Sequence, residues 1–231
     1  MGRVSGIAAI IAGLCVLADT APADTVDVGA MAQVQRTVYG VPPQGSQAVK
    51  REGDTVVFRE ELETIEGSAA LIRFIDDSTL ALGAKSKVVI DAFVFDPENA
   101  EGNALIRISV GTLRYVTGDM PKGKTVIKTP TATLVLRGTT VTVRVHPDGT
   151  TDATVEDGSV DGHNDITNDD ADLASGEGLT YGNSGNSDFS GGDGFSGPGT
   201  NDPDSPPEHR RGGNSGSQGG GTTGGGFGPG N

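Results

Sequence analysis

Apolar residues recur at every second position through much of the stretch from Val26 to Val160, in short runs closed by glycine, proline or small polar residues. That period belongs to a β-strand with one buried face, because successive side chains point to opposite sides of a sheet. Thr140 to Val145 shows it most cleanly: Val141, Val143 and Val145 take one face, and Thr140, Thr142 and Arg144 take the other. The alternation returns in Ala70, Ile72 and Phe74, in Leu80 and Leu82, in Val88 and Ile90, and in Ile106, Ile108 and Val110. No segment carries the three-to-four spacing of an amphipathic helix. The chain is therefore expected to be all-β, a single domain of many short strands.

The breaks between runs have their own chemistry. His146-Pro147-Asp148-Gly149 joins two strand-like runs as a hairpin or corner, with proline fixing φ and glycine free to take a positive value. Asp76-Asp77-Ser78 reads as a polar turn, and Asp96-Pro97-Glu98-Asn99 as the start of a longer loop. Pro130 cannot donate to a ladder and belongs at an edge or bend. Glu66-Gly67-Ser68, Val110-Gly111-Thr112 and Asp157-Gly158-Ser159 resemble one another, a weak internal repetition with no fixed period.

The pattern stops at residue 163. Twenty of the 37 glycines lie after residue 175. Residues 164–231 read as a disordered Gly-, Ser- and Asp-rich acidic tail, too poor in apolar groups to offset ~1–2 kcal/mol of backbone ordering entropy per residue. At the other end, Arg3, the apolar run Gly6 to Leu17 and the small residues Ala21-Pro22-Ala23 read as an export signal. Cleavage before Asp24 is the first choice and before Asp19 the second; lipidation of Cys15, the single cysteine, is a third reading. The expected layout is a signal peptide at 1–23, a β domain at 24–163 and the tail at 164–231, in a periplasmic or secreted protein.

A formal net charge of −14 works against binding to nucleic acid or anionic lipid. No apolar run after the N-terminus approaches the ~20 residues of a spanning helix. Catalytic readings are equally poor. His146, His163 and His209 fall in a turn, at the domain end and in the tail, where no triad is preorganised. Asp76, Asp77 and Asp91, or Glu61, Glu63 and Glu66, could supply an acid–base pair, but carboxylates are abundant here and read as solvated turn and strand-face charge. Gly191 to Ser196 imitates one copy of a calcium-binding nonapeptide but has Ser196 where that pattern needs aspartate. No enzyme activity, catalytic residue, metal or cofactor is expected.

One ordered set of phrases is more specific than composition. It runs from Arg51-Glu52-Gly53-Asp54-Thr55-Val56 through Glu66-Gly67-Ser68 and Asp76-Asp77-Ser78-Thr79-Leu80 to Val110-Gly111-Thr112-Leu113-Arg114-Tyr115-Val116. It continues with Thr129-Pro130-Thr131-Ala132, Arg137-Gly138-Thr139, Asp148-Gly149-Thr150-Thr151 and Val155-Glu156-Asp157-Gly158-Ser159-Val160. This series, over roughly residues 26 to 162, resembles the FecR domain family. Asp77 departs from it, standing where the family usually has a glycine, and Val135 stands where a glycine commonly precedes the Arg-Gly-Thr phrase.

The resemblance implies a β domain similar to a short twisted β-solenoid or a sandwich-like coil of strands. In the family's namesakes the domain is the periplasmic part of a membrane-bound sigma-factor regulator and receives a signal by contact with an outer-membrane transporter. This sequence shows no anti-sigma segment or internal spanning helix, so only a binding module carries over: its partner is expected to be an envelope protein, or alternatively a polysaccharide with the tail as a hydrated spacer. The motif residues Gly53, Asp54, Gly67, Ser68, Asp76, Ser78, Gly111, Arg114, Thr129, Pro130, Arg137, Gly138, Thr139, Gly149 and Gly158 are expected to act structurally, the glycines in turns or close approaches and the arginines on carbonyls or carboxylates.

Overall fold

The computed structural model describes residues 26–188. The expected export signal, Cys15, the Gly191 to Ser196 segment and the rest of 189–231 lie outside the described residues.

The described chain is strands and turns, with no helix. It opens with β1 (Asp27–Gln35), β2 (Val38–Val41), β3 (Ala48–Lys50), β4 (Thr55–Val57) and β5 (Glu61–Thr64). Hairpins follow in series: β6 (Ala69–Phe74) with β7 (Thr79–Leu82), β8 (Lys87–Asp96) with β9 (Glu101–Val116), and β10 (Thr125–Lys128) with β11 (Ala132–Leu136). The last are β12 (Thr140–Val145) with β13 (Thr151–Asp157), β14 (Ser159–Asn164) with β15 (Asp170–Ala174), and β16 (Gly178–Gly182) with β17 (Gly185–Asp188).

Strand pairing divides these elements into two halves. One runs β4-β1-β6-β7-β9-β12-β13-β16-β17 and the other β3-β2-β5-β8-β9-β10-β11-β14-β15. Every pair is antiparallel except β9 with β10. The long β9 belongs to both halves and joins them into one sheet of 17 strands. Its first part pairs with β8 and β10, and from Gly111 onward it pairs with β7 and β12. Gly111 makes that transfer possible: its φ is +99°, and a Cβ there would overlap the backbone of Ser86.

The two halves face each other across one hydrophobic core. Phe74 of β6 stacks on Phe93 of β8 with ring centroids 4.4 Å apart, and the two strands lie in opposite halves. Val141, Val143 and Val145 are buried as the alternation requires, as are Ala70, Ile72, Leu80, Leu82, Val88, Ile90, Ile106 and Ile108. Each of these Val, Leu and Ile side chains contributes ~1.5–3 kcal/mol when fully removed from water. After β9 the hairpins alternate between the halves, β10–β11 in one, β12–β13 in the other, and so on to β17. This is the coiled, sandwich-like β architecture.

Three local expectations are corrected. The β domain does not end at 163, because β15, β16 and β17 lie within 164–188. These strands need few apolar groups: Leu173, Leu179 and Tyr181 fill the core side, while β14 and β13 offer ready edges for their backbone ladders. Asp96 begins a tight hairpin tip rather than a longer loop, with its Oδ1 accepting the Glu98 amide at 2.9 Å. Asp76 is not a solvated turn carboxylate; it is buried.

Candidate functional site

The motif phrases, scattered along the chain, meet in pairs where it passes from strand to strand. The Thr129-Pro130-Thr131-Ala132 bend between β10 and β11 meets the β12–β13 hairpin. Thr129 Oγ1 accepts the Ala132 amide at 2.8 Å and the Thr151 hydroxyl at 2.8 Å. Thr131 Oγ1 lies 3.0 Å from the Gly149 carbonyl and 2.9 Å from Thr151 Oγ1, and its single proton is shared between them. Thr129, Thr131 and Thr151 are all buried, so this hydroxyl chain satisfies groups that water cannot reach. Gly149 sits in the hairpin with φ of +89°.

The Arg137-Gly138-Thr139 phrase meets Gly158-Ser159. Thr139 Oγ1 donates to the Ser159 carbonyl at 3.0 Å and accepts the Arg137 amide at 3.1 Å. Gly158, φ +84°, lies so close to Gly138 that a Cβ would overlap the Gly138 carbonyl. Arg137 holds Asp161 through Nε at 2.9 and 2.6 Å, and this partner raises the guanidinium pKa further. Arg114 holds Glu156 across β12, with Nε at 2.9 Å from Oε1 and Nη2 at 2.7 Å from Oε2. Burial alone would raise the Glu156 carboxyl, but Arg114 and the Thr142 hydroxyl outweigh it and hold the pKa below its ordinary value.

Asp76 and Ser78 form the third meeting point. Asp76 Oδ1 accepts the Ser78 amide at 3.0 Å and the Ser78 hydroxyl, and Ser78 Oγ accepts the Tyr115 hydroxyl at 2.9 Å. Burial pushes the Tyr115 pKa up to about 12. Asp77, where the family has glycine, takes φ of +61° and so keeps the glycine-like backbone; its carboxylate pairs with Arg73 at 2.7 Å on the surface. Ser68 Oγ accepts the Thr37 amide at 3.1 Å beside Gly67, and Asp54 Oδ2 accepts the Arg51 amide at 2.7 Å in the Gly53 turn.

The sequence reading missed a regularity in these contacts. Thr64 with the Ser86 carbonyl, Thr117 with the Thr139 carbonyl, Thr151 with Thr129, and Asn164 with Asn186 are each hydrogen-bonded pairs 22 residues apart. These contacts tie strand ends and turns of the chain to strands and turns further along it. The signal available was the spacing of Thr and Ser at strand ends, which a search for repeated glycine phrases passes over.

Among the described residues the candidate catalytic side chains are engaged in separate contacts. His146 Nε2 and Thr180 Oγ1 both bond to Asp152, each at 2.7 Å, so the carboxylate sits between them and no hydroxyl faces a base. His163 pairs with Asp170 at 2.7 Å on the far half. Asp91 lies with Arg107 at 2.5 Å, Glu61 with Lys87 at 2.7 Å and Glu66 with Lys85 at 3.2 Å, so those carboxylates are spread over separate ion pairs. Among the described residues no three His, Asp or Glu side chains gather to hold a metal ion.

The family model described as FecR protein matches residues 60–161, the span from the end of the β4–β5 turn to β14. Residues 60–161 are thus similar to a FecR domain. No curated protein matches it. Two crystal structures of a candidate anti-sigma factor from Parabacteroides distasonis ATCC 8503 are similar at 16% identity with a TM-score of 0.45, covering 55% of this chain. The chain spans only 59% of that structure's length. All the paired phrases from Asp76 to Gly158 lie within the matched span, and the strands β15–β17 extend the coil beyond it.

Proposed function

We propose that this chain is a non-enzymatic envelope module that works by contact with another protein, receiving or passing on a signal. The observation that carries the reading is the similarity to a FecR domain, with signature side chains engaged in joining turn to turn rather than lining a reactive cleft. In this reading the motif residues are structural and the contact surface lies on exposed strand faces and edges. Export belongs to the same proposal, with residues 1–23 as a signal peptide and the mature chain beginning at Asp24 in the periplasm or outside the cell. No helix among the described residues is long and apolar enough to cross a membrane.

Affinity capture and crosslinking of the full chain in its native envelope, beside a glycan-binding and hydrolysis panel, tests the proposal. A reproducible protein partner supports it. Selective glycan retention without a protein partner replaces it with the adhesive reading, and glycan turnover refutes it.

A further inference from the structure

The two halves of the sheet end in four edge strands, and they differ in what their backbones can still bond. β4 is closed: its Thr55 carbonyl accepts Lys50 Nζ at 2.7 Å and its Val57 amide donates to Glu60 Oε2 at 3.0 Å. β3 is only three residues long, and β17 runs directly into residues outside the described chain. β15 is the remaining edge, five residues paired with β14 on one side only.

Its register shows which groups face outward. In an antiparallel ladder, directly opposed pairs alternate between bonded and non-bonded. The Asn164 amide bonds the Asp169 carbonyl at 2.8 Å, so the next pair, His163 opposite Asp170, is non-bonded, and so is Asp161 opposite Asp172. The Ala174 amide, two residues further, confirms the phase because it turns away from β14 to donate to Glu177 Oε2 at 2.8 Å. The amides and carbonyls of Asp170 and Asp172 therefore point away from the sheet. Their side chains are exposed on the outer face, while Ala171 and Leu173 point to the core side.

Around this edge the outer face carries Asp161, Asp165, Asp170 and Asp172 against Arg137 and His163, along a shallow cavity of about 450 Å³ lined by Arg137, Asp161, His163, Asp170 and Asp172. Edge carboxylates commonly guard against self-pairing, and a second copy of β15 would bring like charges together. The same charges favour a basic strand.

Resting on the reading of the chain as a protein-contact module, we propose that β15 is its docking edge and that the partner is an extended protein segment with Lys or Arg at alternate positions and apolar residues between. Such a segment bonds the outward groups of Asp170 and Asp172, sets its basic side chains over the Asp row, and turns its apolar side chains toward Ala171 and Leu173.

The test uses the full chain and a Lys-Val-Lys-Val-Lys-Val-Lys peptide, with binding measured by titration and site by amide exchange. The proposal expects slowed exchange at Asp170 and Asp172. It also expects at least tenfold weaker binding for the peptide N-methylated on its pairing edge, which keeps the charge but blocks the ladder. Asp172→Pro removes an outward amide without removing a β14–β15 bond and should weaken binding at least tenfold, its fold checked by thermal melting; the double variant D170N/D172N, which keeps the backbone, should weaken it and flatten its salt dependence. Equal binding of the methylated peptide, or amides of Asp170 and Asp172 already protected in the free chain by its own residues or by a second copy, overturns the proposal. Capture of an envelope partner whose binding is unaffected by both variants overturns it too, while leaving the protein-contact reading standing.

Discussion

Tyr115 on β9 donates its hydroxyl to Ser78 Oγ at 2.9 Å inside the core, and Ser78 passes a hydrogen bond on to the buried carboxylate of Asp76. The turn before β7 is thus tied to the strand shared by both halves of the sheet. Tyr115→Phe removes one buried bond and leaves Ser78 bonded to Asp76, so it should cost ~1–2 kcal/mol. Ser78→Ala strips a partner from both neighbours and should cost more, ~2–3 kcal/mol. Urea unfolding of both variants checks the order; equal stability of all three proteins would show that the chain of bonds contributes nothing.

The same burial makes stability depend on alkaline pH. Tyr115 and Tyr181 both have pKa values raised from 10.0 to about 12 by burial. A raised folded pKa means that the native state keeps its proton while the unfolded chain loses it, so stability is intact below pH 10 and falls from there to about 12. Two units correspond to ~2–3 kcal/mol for each tyrosine. Urea midpoints measured between pH 9 and 12 should drop, and the drop should shrink in Tyr115→Phe and in Tyr181→Phe relative to their own values at pH 9. A flat profile contradicts the burial of these hydroxyls.

Gly158 and Gly138 touch backbone to backbone at the crossing from β13 to β14. Gly158→Ala combines a left-handed φ with a direct overlap on a carbonyl that cannot rotate away, and should cost more than ~2 kcal/mol. Thermal melting decides it; a loss below 1 kcal/mol would mean that the two turns separate freely.

Asp77→Gly should be nearly silent. Glycine relieves a left-handed backbone worth ~1 kcal/mol, but loosens the unfolded chain by a similar amount and gives up an exposed ion pair worth ~0–1 kcal/mol. A change within about 1 kcal/mol is expected on these terms, and a loss above 2 kcal/mol in urea unfolding would show that the Asp77–Arg73 pair does more than its exposure suggests.

Much of the strand content was legible because alternating valines, leucines and isoleucines have one way to sit on a half-buried sheet, as Val141, Val143 and Val145 do. The end of the coil was not. In β15 to β17 the alternation survives as Ala171 and Leu173, then Leu179 and Tyr181, diluted by Asp and Gly, and the ladder partners that stabilise these strands are remote in sequence. The burial of Asp76 is hidden from the sequence for a similar reason: its partner Ser78 is bonded by Tyr115, 39 positions away from Asp76. That contact could have been suspected, since Tyr115 falls on the inward side of β9 with Leu113, where a hydroxyl needs a partner. The pairing of the motif phrases could not, because which turn meets which is set by the coil.

On the proposed reading the chain acts by protein contact and does no chemistry. A photoreactive residue placed at exposed strand positions, Asp172 on β15 and Val49 on β3 among them, and activated in the native envelope is the decisive measurement. Discrete, protease-sensitive crosslinks to a protein partner are the predicted result. Absence of any protein adduct, together with glycan turnover by the purified chain that is lost on replacing a single carboxylate without unfolding, would contradict it.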